Sequence, residues 1–321
     1  MSMCQLQESC GERTPCNRPF CMLPRCVACV AELAHIASAM AAGDNHALMK
    51  KAEAQARAVL DDGRKRAQIA PVLANKVLRA IKEATGVTDP FAEYKIQEMK
   101  QSREAFQRIA DCLDGSLYAC LKTAAIGNSL DFFKPPEEAF REVTTLLAQE
   151  DFFHHLDMAL LENELSKGLE LVLYMTDNSG EVFFDVPLYD YLRKRVRRLV
   201  LVVKGEAPAL NDLTRADLER EGLLERFEEV ADTGTDGAGV DWDSVSPAFV
   251  SLLETADLVL CKGGANFETV YPRPFTAPAF FLFKVKCRPD QMDFFESPPQ
   301  VFWGLWRERQ GGKSTLSDRD V

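Results

Sequence analysis

Leu171-Val172-Leu173-Tyr174-Met175 followed by Thr176-Asp177-Asn178-Ser179-Gly180-Glu181 is the stretch that decides the fold. The first five residues read as a buried strand. The run stops abruptly at an acid, an amide and a glycine, and a helix is predicted to begin near Glu181. In an open α/β sheet, such strand-to-helix junctions are where ligands bind. Asp177 and Asn178 supply hard oxygen donors of the kind that Mg²⁺ or Mn²⁺ takes. The N–H groups of a helix start suit a phosphate. Asp, Asn and Ser also serve as ordinary helix caps, so the dipeptide acquires meaning only from its place at a strand end.

Working outward, the chain changes character near residue 168. Beyond it, apolar runs at 170–175, 198–203, 226–231, 257–261 and 278–285 alternate with helix patterns at 181–195, 213–223, 246–255 and 264–270. That alternation predicts a doubly wound, mainly parallel sheet. Before it, apolar residues recur at spacings of three and four over 27–60, 67–85, 91–113, 116–127, 136–148 and 150–167, which predicts helices. The expected class is therefore α/β, with a helical N-terminal region (1–167) that has a cysteine-rich start and packs on an α/β domain (168–287). Residues 288–321 read as a divergent, partly disordered tail, interrupted by Pro289, Pro298 and Pro299 and carrying Phe294, Phe295, Phe302, Trp303 and Trp306 as an aromatic patch.

The 321 residues hold 38 basic and 49 acidic side chains, a net charge of −11. This balance argues against a general nucleic-acid partner, which calls for a basic excess. A small phosphorylated metabolite remains compatible with it, because a few lysines or a metal invert the local potential. No run reaches the roughly 20 apolar residues that span a bilayer. Cys, Gln, Glu and Arg interrupt the start of the chain early, unlike a signal sequence. A cytoplasmic protein with reduced cysteines is expected. Cys112, Cys120, Cys261 and Cys287 are scattered and read as small buried apolar residues.

Four further strand ends carry polar residues. Lys204-Gly205-Glu206 through Asn211-Asp212-Leu213-Thr214, with Asp217 beyond, follows one strand; Asp212 or Asp217 would face Asp177 if the two strands are neighbours. Lys262-Gly263-Gly264-Ala265-Asn266-Phe267-Glu268 follows another; its glycines admit a close ligand and its lysine suits phosphate oxygens. Asp232-Thr233-Gly234-Thr235-Asp236-Gly237 follows a third, and Lys284 or Lys286 ends the last strand. Each alone is a turn with a solvated charge; their recurrence along one sheet edge favours a shared site.

Spacing removes several phosphate chemistries. Six residues after Cys261 stands Phe267, so there is no Cys-x5-Arg loop; two after Asp177 stands Ser179, so there is no Asp-x-Asp pair. Neither a phosphate-binding G-x-x-x-x-G-K-[ST] loop nor a dinucleotide G-x-G-x-x-G occurs. No G-x-S-x-G elbow is present. His154 and His155 read as adjacent positions on a helix, which point apart. Cys26-x-x-Cys29 is half of a zinc site, for which Cys4, Cys10, Cys16 or Cys21 would supply the remainder. A non-catalytic zinc-binding interaction protein built on these cysteines is the alternative reading.

Together, Asp177-Asn178-Ser179-Gly180-Glu181, Asn211-Asp212-Leu213-Thr214 and Lys262-Gly263-Gly264-Ala265-Asn266-Phe267-Glu268 resemble the metal-dependent damage-control phosphatases. Cys26-x-x-Cys29, Asp89-Pro90-Phe91, Gly127-Asn128-Ser129-Leu130-Asp131-Phe132, Asp232-Thr233-Gly234-Thr235-Asp236 and Lys286-Cys287 are similar to motifs of that family's cysteine-containing, largely prokaryotic branch. The resemblance implies hydrolysis of small phosphomonoesters with Mn²⁺, Mg²⁺, Co²⁺ or Ni²⁺. It implies a cation on Asp177, Asn178 and Asp212, with Asp217 as the fallback. Phosphate contacts would fall to Lys262 and Lys286, with Glu181, Gly263 and Asn266 lining the pocket. The tail after Cys287 departs from the family pattern.

Overall fold

In the computed structural model the residues described are 22, 24–63, 69–129, 136–208, 210–273, 275–286 and 300–309. They fall into two compact units, divided between Phe91 and Ala92. The division falls at 91/92 and not at 167/168, so the helices between those points belong with the sheet.

The first unit contains α1 (Pro24–Ala42), α2 (His46–Gly63) and α3 (Ala70–Thr85). The single helical stretch expected over 27–60 is thus two helices, broken at Gly43-Asp44. Small residues at the contacts (Ala34, Ala37, Ala52, Ala56) let the helices approach closely around Leu73, Val77 and Ile81. Cys26 and Cys29 lie one turn apart on α1, the first partly buried and the second exposed. Cys4, Cys10, Cys16 and Cys21 lie outside the described residues.

The second unit contains α4 (Ala92–Gln107), α5 (Leu117–Gly127), α6 (Pro136–Ala148), β1 (Phe153–Leu156), α7 (Met158–Leu165), β2 (Leu171–Met175), α8 (Val182–Arg193), β3 (Arg198–Val203), α9 (Arg215–Arg220), β4 (Glu229–Asp232), α10 (Pro247–Thr255), β5 (Leu258–Lys262), α11 (Gly264–Val270), β6 (Ala279–Lys284) and β7 (Phe302–Arg307). The seven strands run in the order β1-β7-β6-β5-β2-β3-β4. All pairings are parallel except β6 with β7. The fold is α/β with a mostly parallel sheet, as the alternation after residue 168 predicts.

Both faces of the central strands are covered, which explains their unbroken apolar runs. Val172, Tyr174, Leu199, Leu201, Leu258, Leu260 and Phe280 share one core with Leu121, Ala124 and Ala125 of α5 and Phe184 and Leu188 of α8. On the other face, Phe267 of α11 stacks on Phe283 at 4.3 Å between ring centroids and meets Phe281 edge-on.

Two expectations fail at the sheet's edge. Residues 150–167, read as helix, begin with β1, so His154 and His155 sit on a strand. Residues 302–307, read as tail, form β7, which joins β6 to β1. Gly304 makes that junction possible, because a Cβ there would overlap the Leu156 side chain and stand 2.9 Å from Phe280. Residues 287–299 and 310–321, with Cys287, Phe294 and Phe295 among them, lie outside the described residues. Among the described residues no helix is long and apolar enough to cross a membrane.

Candidate active site

Strand order reverses around β2: the chain moves from β2 to β3 and β4 on one side, then returns to β5 and β6 on the other. The carboxyl ends of β2 and β5 therefore flank the crevice where an open α/β sheet binds its ligand. Asp177 and Gly263 stand one residue or two past those ends.

The loops after β2 and β3 are stitched together. Leu213 N–H donates to Asp177 O and Ser179 N–H donates to Asn211 O, both at 2.8–2.9 Å. These bonds form an antiparallel bridge between Asn178 and Asp212. Residues opposed in such a bridge put their side chains on the same face. A second bridge, Lys204 to Thr214, continues β3.

From the third strand end, Gly263 holds φ +79°, and a Cβ on it would overlap the Asp177 carboxylate. Only glycine lets the backbone reach that carboxylate. Asn266 then ties the pieces: its Nδ2 donates to Thr176 O at 2.8 Å and Lys262 O at 2.7 Å. Its Oδ1 accepts from Lys204 Nζ at 3.3 Å. Lys204 also donates to Gly239 O and lies 3.9 Å from Asp212.

Glu181 organises the other side. Its Oε1 accepts from Asn178 Nδ2 and Asn128 Nδ2, each at 2.7 Å, and Asn128 Nδ2 also reaches Asp177 Oδ2 at 2.9 Å. These bonds fix which way the Asn178 amide faces. Lys262 Nζ pairs with Glu181 at 2.9 Å and Asp185 at 2.6 Å, and Tyr174 O–H donates to Asp185 at 2.9 Å. Lys262 is wholly buried. The lysine expected to face phosphate is thus committed to two carboxylates behind the crevice. Burial disfavours its ammonium, but those two charges outweigh it and raise its pKa.

The acids facing the crevice are under the opposite stress. Asp177 is pushed up to about 7 by burial and then by the Glu181 and Asp212 charges. Asp212 is raised by burial, against the pull of Lys204 and Lys95. Both of its carboxylate oxygens are buried without a hydrogen-bond partner. Like charges gathered in this way, with oxygens left over, match what a divalent cation would satisfy. Among the described residues no three His, Cys, Asp or Glu side chains form a ready metal cluster, Cys26 and Cys29 included. The candidate donor set is therefore two carboxylates and one amide.

Asp217 has a different position. It closes a capping box with Thr214 at the start of α9 and pairs with Lys95 at 2.6 Å. Burial opposes its charge, but Lys95 and the Thr214 hydrogen bonds together outweigh burial and hold it below the usual range. Lys286 is exposed after β6, and its charge favours ionised Asp177. Lys284 ends β6, and its N–H donates to Asn128 Oδ1. The loop after β4 reaches the same edge, where Thr235 O accepts from Gly205 N–H.

Several participants lack a clear sequence signal. Asp185 was recoverable: an acid one turn beyond Glu181, inside an apolar helix, needs a partner. Lys204 heads a loop already suspected. Lys95, Glu98 and Ser102 of α4 are buried at i, i+3 and i+7, the positions of an apolar stripe, and nothing local marks them as polar contacts.

The chain is similar to several known proteins. The damage-control phosphatase ARMT1-like domain matches residues 22–294. A damage-control phosphatase of Pyrococcus horikoshii is 36% identical over 204 residues, 63% of this chain and 69% of its own. One from Archaeoglobus fulgidus is 30% identical over 228 residues, 69% of this chain and 77% of its own. The crystal structure of a DUF89 family protein from P. horikoshii superposes with a TM-score of 0.79 at 29% identity, covering 89% of this chain and 99% of that one. With that match spanning both units and every strand end described above, the chain belongs to the ARMT1-like damage-control phosphatase family.

Proposed function

We propose that the protein is a divalent-cation-dependent phosphatase acting on small phosphomonoesters. Membership of the phosphatase family supports the reaction class. Asp212 supports the cation most directly, since its two orphaned oxygens face a second acid whose charge is also disfavoured. Asp177, Asn178 and Asp212 would hold the ion, from Mn²⁺, Mg²⁺, Co²⁺ or Ni²⁺. Once bound it would polarise the phosphoryl group and lower the pKa of a coordinated water.

The protein's own residues supply the setting. Glu181 and Asn128 hold Asn178 and Asp177 in place. Lys262 neutralises Glu181 and Asp185 from behind, so it acts as a positioning residue. Lys286, exposed after β6, would meet the substrate's phosphate, and Lys204 balances Asp212. Gly264, whose Cβ position meets nothing within 4 Å, leaves room beside Asp177.

The test is phosphate release from a panel of sugar phosphates and other small phosphomonoesters with Mn²⁺, Mg²⁺, Co²⁺ and Ni²⁺. Wild type should turn over at least one of them, only with metal. Asp177→Ala should lose most of that activity; equal rates in the two proteins would refute the reading.

A further inference from the structure

α4 lies against the turn Ser179–Glu181, and it presents a polar stripe to it. Glu98 sits at its centre, only 3% exposed. Its Oε2 accepts from Ser179 Oγ at 2.7 Å. Its Oε1 and Oε2 accept from Asn211 Nδ2 at 3.0 and 3.2 Å. Ser179 follows Asn178 and Asn211 precedes Asp212, so one carboxylate grips both loops beside the bridge that pairs those residues. One turn earlier, Lys95 pairs with Asp217 beyond the second loop. One turn later, Ser102 crowds Gly180, where a Cβ would stand 2.6 Å from Ser102 Oγ and 2.7 Å from Glu98 Cγ. The helix therefore touches both loops, at three successive places.

We propose that Glu98 is a positioning residue that fixes the separation of Asn178 and Asp212 and so sets the affinity of the site for a divalent cation. This rests on the cation-site reading above. The bridge between the loops is a single residue pair; among the described residues, without a clamp, the main chains of the two loops meet through the two bonds around it. A carboxylate accepting from both sides resists both their separation and their sliding. Outer partners of this kind commonly control metal affinity by about 10- to 100-fold.

The experiment measures Mn²⁺ binding directly by calorimetry on the full-length chain, with thermal melts of each metal-free protein. The variants are Glu98→Ala, Glu98→Gln, Asp212→Asn and Leu161→Ala, the last a buried core truncation on α7. Glu98→Ala should raise the Mn²⁺ dissociation constant by about 10-fold or more. Glu98→Gln, which keeps an acceptor for Asn211, should recover part of the loss. Leu161→Ala should lower the melting temperature and leave the dissociation constant unchanged. If Glu98 only supports the fold, Glu98→Ala will behave like Leu161→Ala, and the proposal fails. Should Glu98→Ala not fold, Glu98→Gln decides: wild-type affinity in it overturns the clamp. If Asp212→Asn binds Mn²⁺ as wild type does, the cation site itself is wrong and the clamp falls with it. If Asp212→Asn loses Mn²⁺ while the Glu98 variants keep it, the clamp alone is wrong.

Discussion

At Gly263 a left-handed backbone and the Asp177 carboxylate occupy the space that any other side chain would need. Gly263→Ala therefore meets two penalties, the positive φ and the displacement of Asp177. It should cost about 1–3 kcal/mol of stability and at least about tenfold in turnover. Urea melts and Mn²⁺-dependent phosphate release would check it; wild-type values in both would mean that Asp177 does not rest on this backbone. Glu98 makes a separate prediction through pH. Burial pushes its carboxyl up to about 8, with the Glu181 charge adding and the Ser179 and Asn211 hydrogen bonds opposing. A raised carboxyl contributes stability that is complete below its unfolded value of 4.5 and is lost as pH rises through 8. Between those limits wild type should lose up to about 1.4 kcal/mol per pH unit through this group. Asp177, Asp185 and Asp212 tilt the curve in the same direction, so the measure is the difference in slope. In EDTA, Glu98→Gln should show a shallower slope from pH 5 to 8. Parallel curves would show that Glu98 does not titrate in this range.

At the scale of elements, periodicity makes β2 to β6 legible because both faces of those strands are buried and leave continuous apolar runs. It also makes the crevice legible, since Asp177 and Gly263 follow closely on such runs and Asp212 lies in the loop after β3. It fails for β1 and β7, where the cause is physical. β1 is an edge strand of four residues, mostly half-exposed, and its histidines keep no apolar alternation. β7 carries Phe302, Trp303, Leu305 and Trp306, good strand formers, but Gly304 interrupts them and prolines precede them. The polar stripe of α4 is invisible for a related reason: its partners, Ser179, Asn211 and Asp217, are 81 to 122 residues away. Gly304→Val tests the edge. It forces a branched side chain against Leu156 and Phe280, an overpacking that should cost about 1–3 kcal/mol. Unchanged urea stability would place β7 elsewhere than between β1 and β6.

For the whole molecule, the cluster of acids at the crevice is a stability cost that only a ligand relieves. Asp177 and Asp212 are among the acids counted in the chain's net charge of −11, and each of them ionised inside the fold works against the folded state. Asp177 and Asp212 are both raised, so their favourable contribution belongs to low pH and is lost as pH rises, for Asp177 through about 7. Metal-free protein at pH 8 therefore sits below the stability its core would allow. Asp212→Asn removes one buried charge and relieves Asp177 of a neighbour. It should be more stable than wild type in EDTA at pH 8, by on the order of 1 kcal/mol. Mn²⁺ reverses the order. A ligand at 100 times its dissociation constant adds about 2.7 kcal/mol to a protein that binds it only when folded. Wild type should gain that amount and Asp212→Asn little or none, so their melting curves cross between EDTA and saturating Mn²⁺. The crossing separates a site built for a cation from an acid tolerated for other reasons. If Asp212→Asn is the less stable protein in EDTA and gains as much from Mn²⁺ as wild type, the orphaned oxygens of Asp212 have no cation to hold.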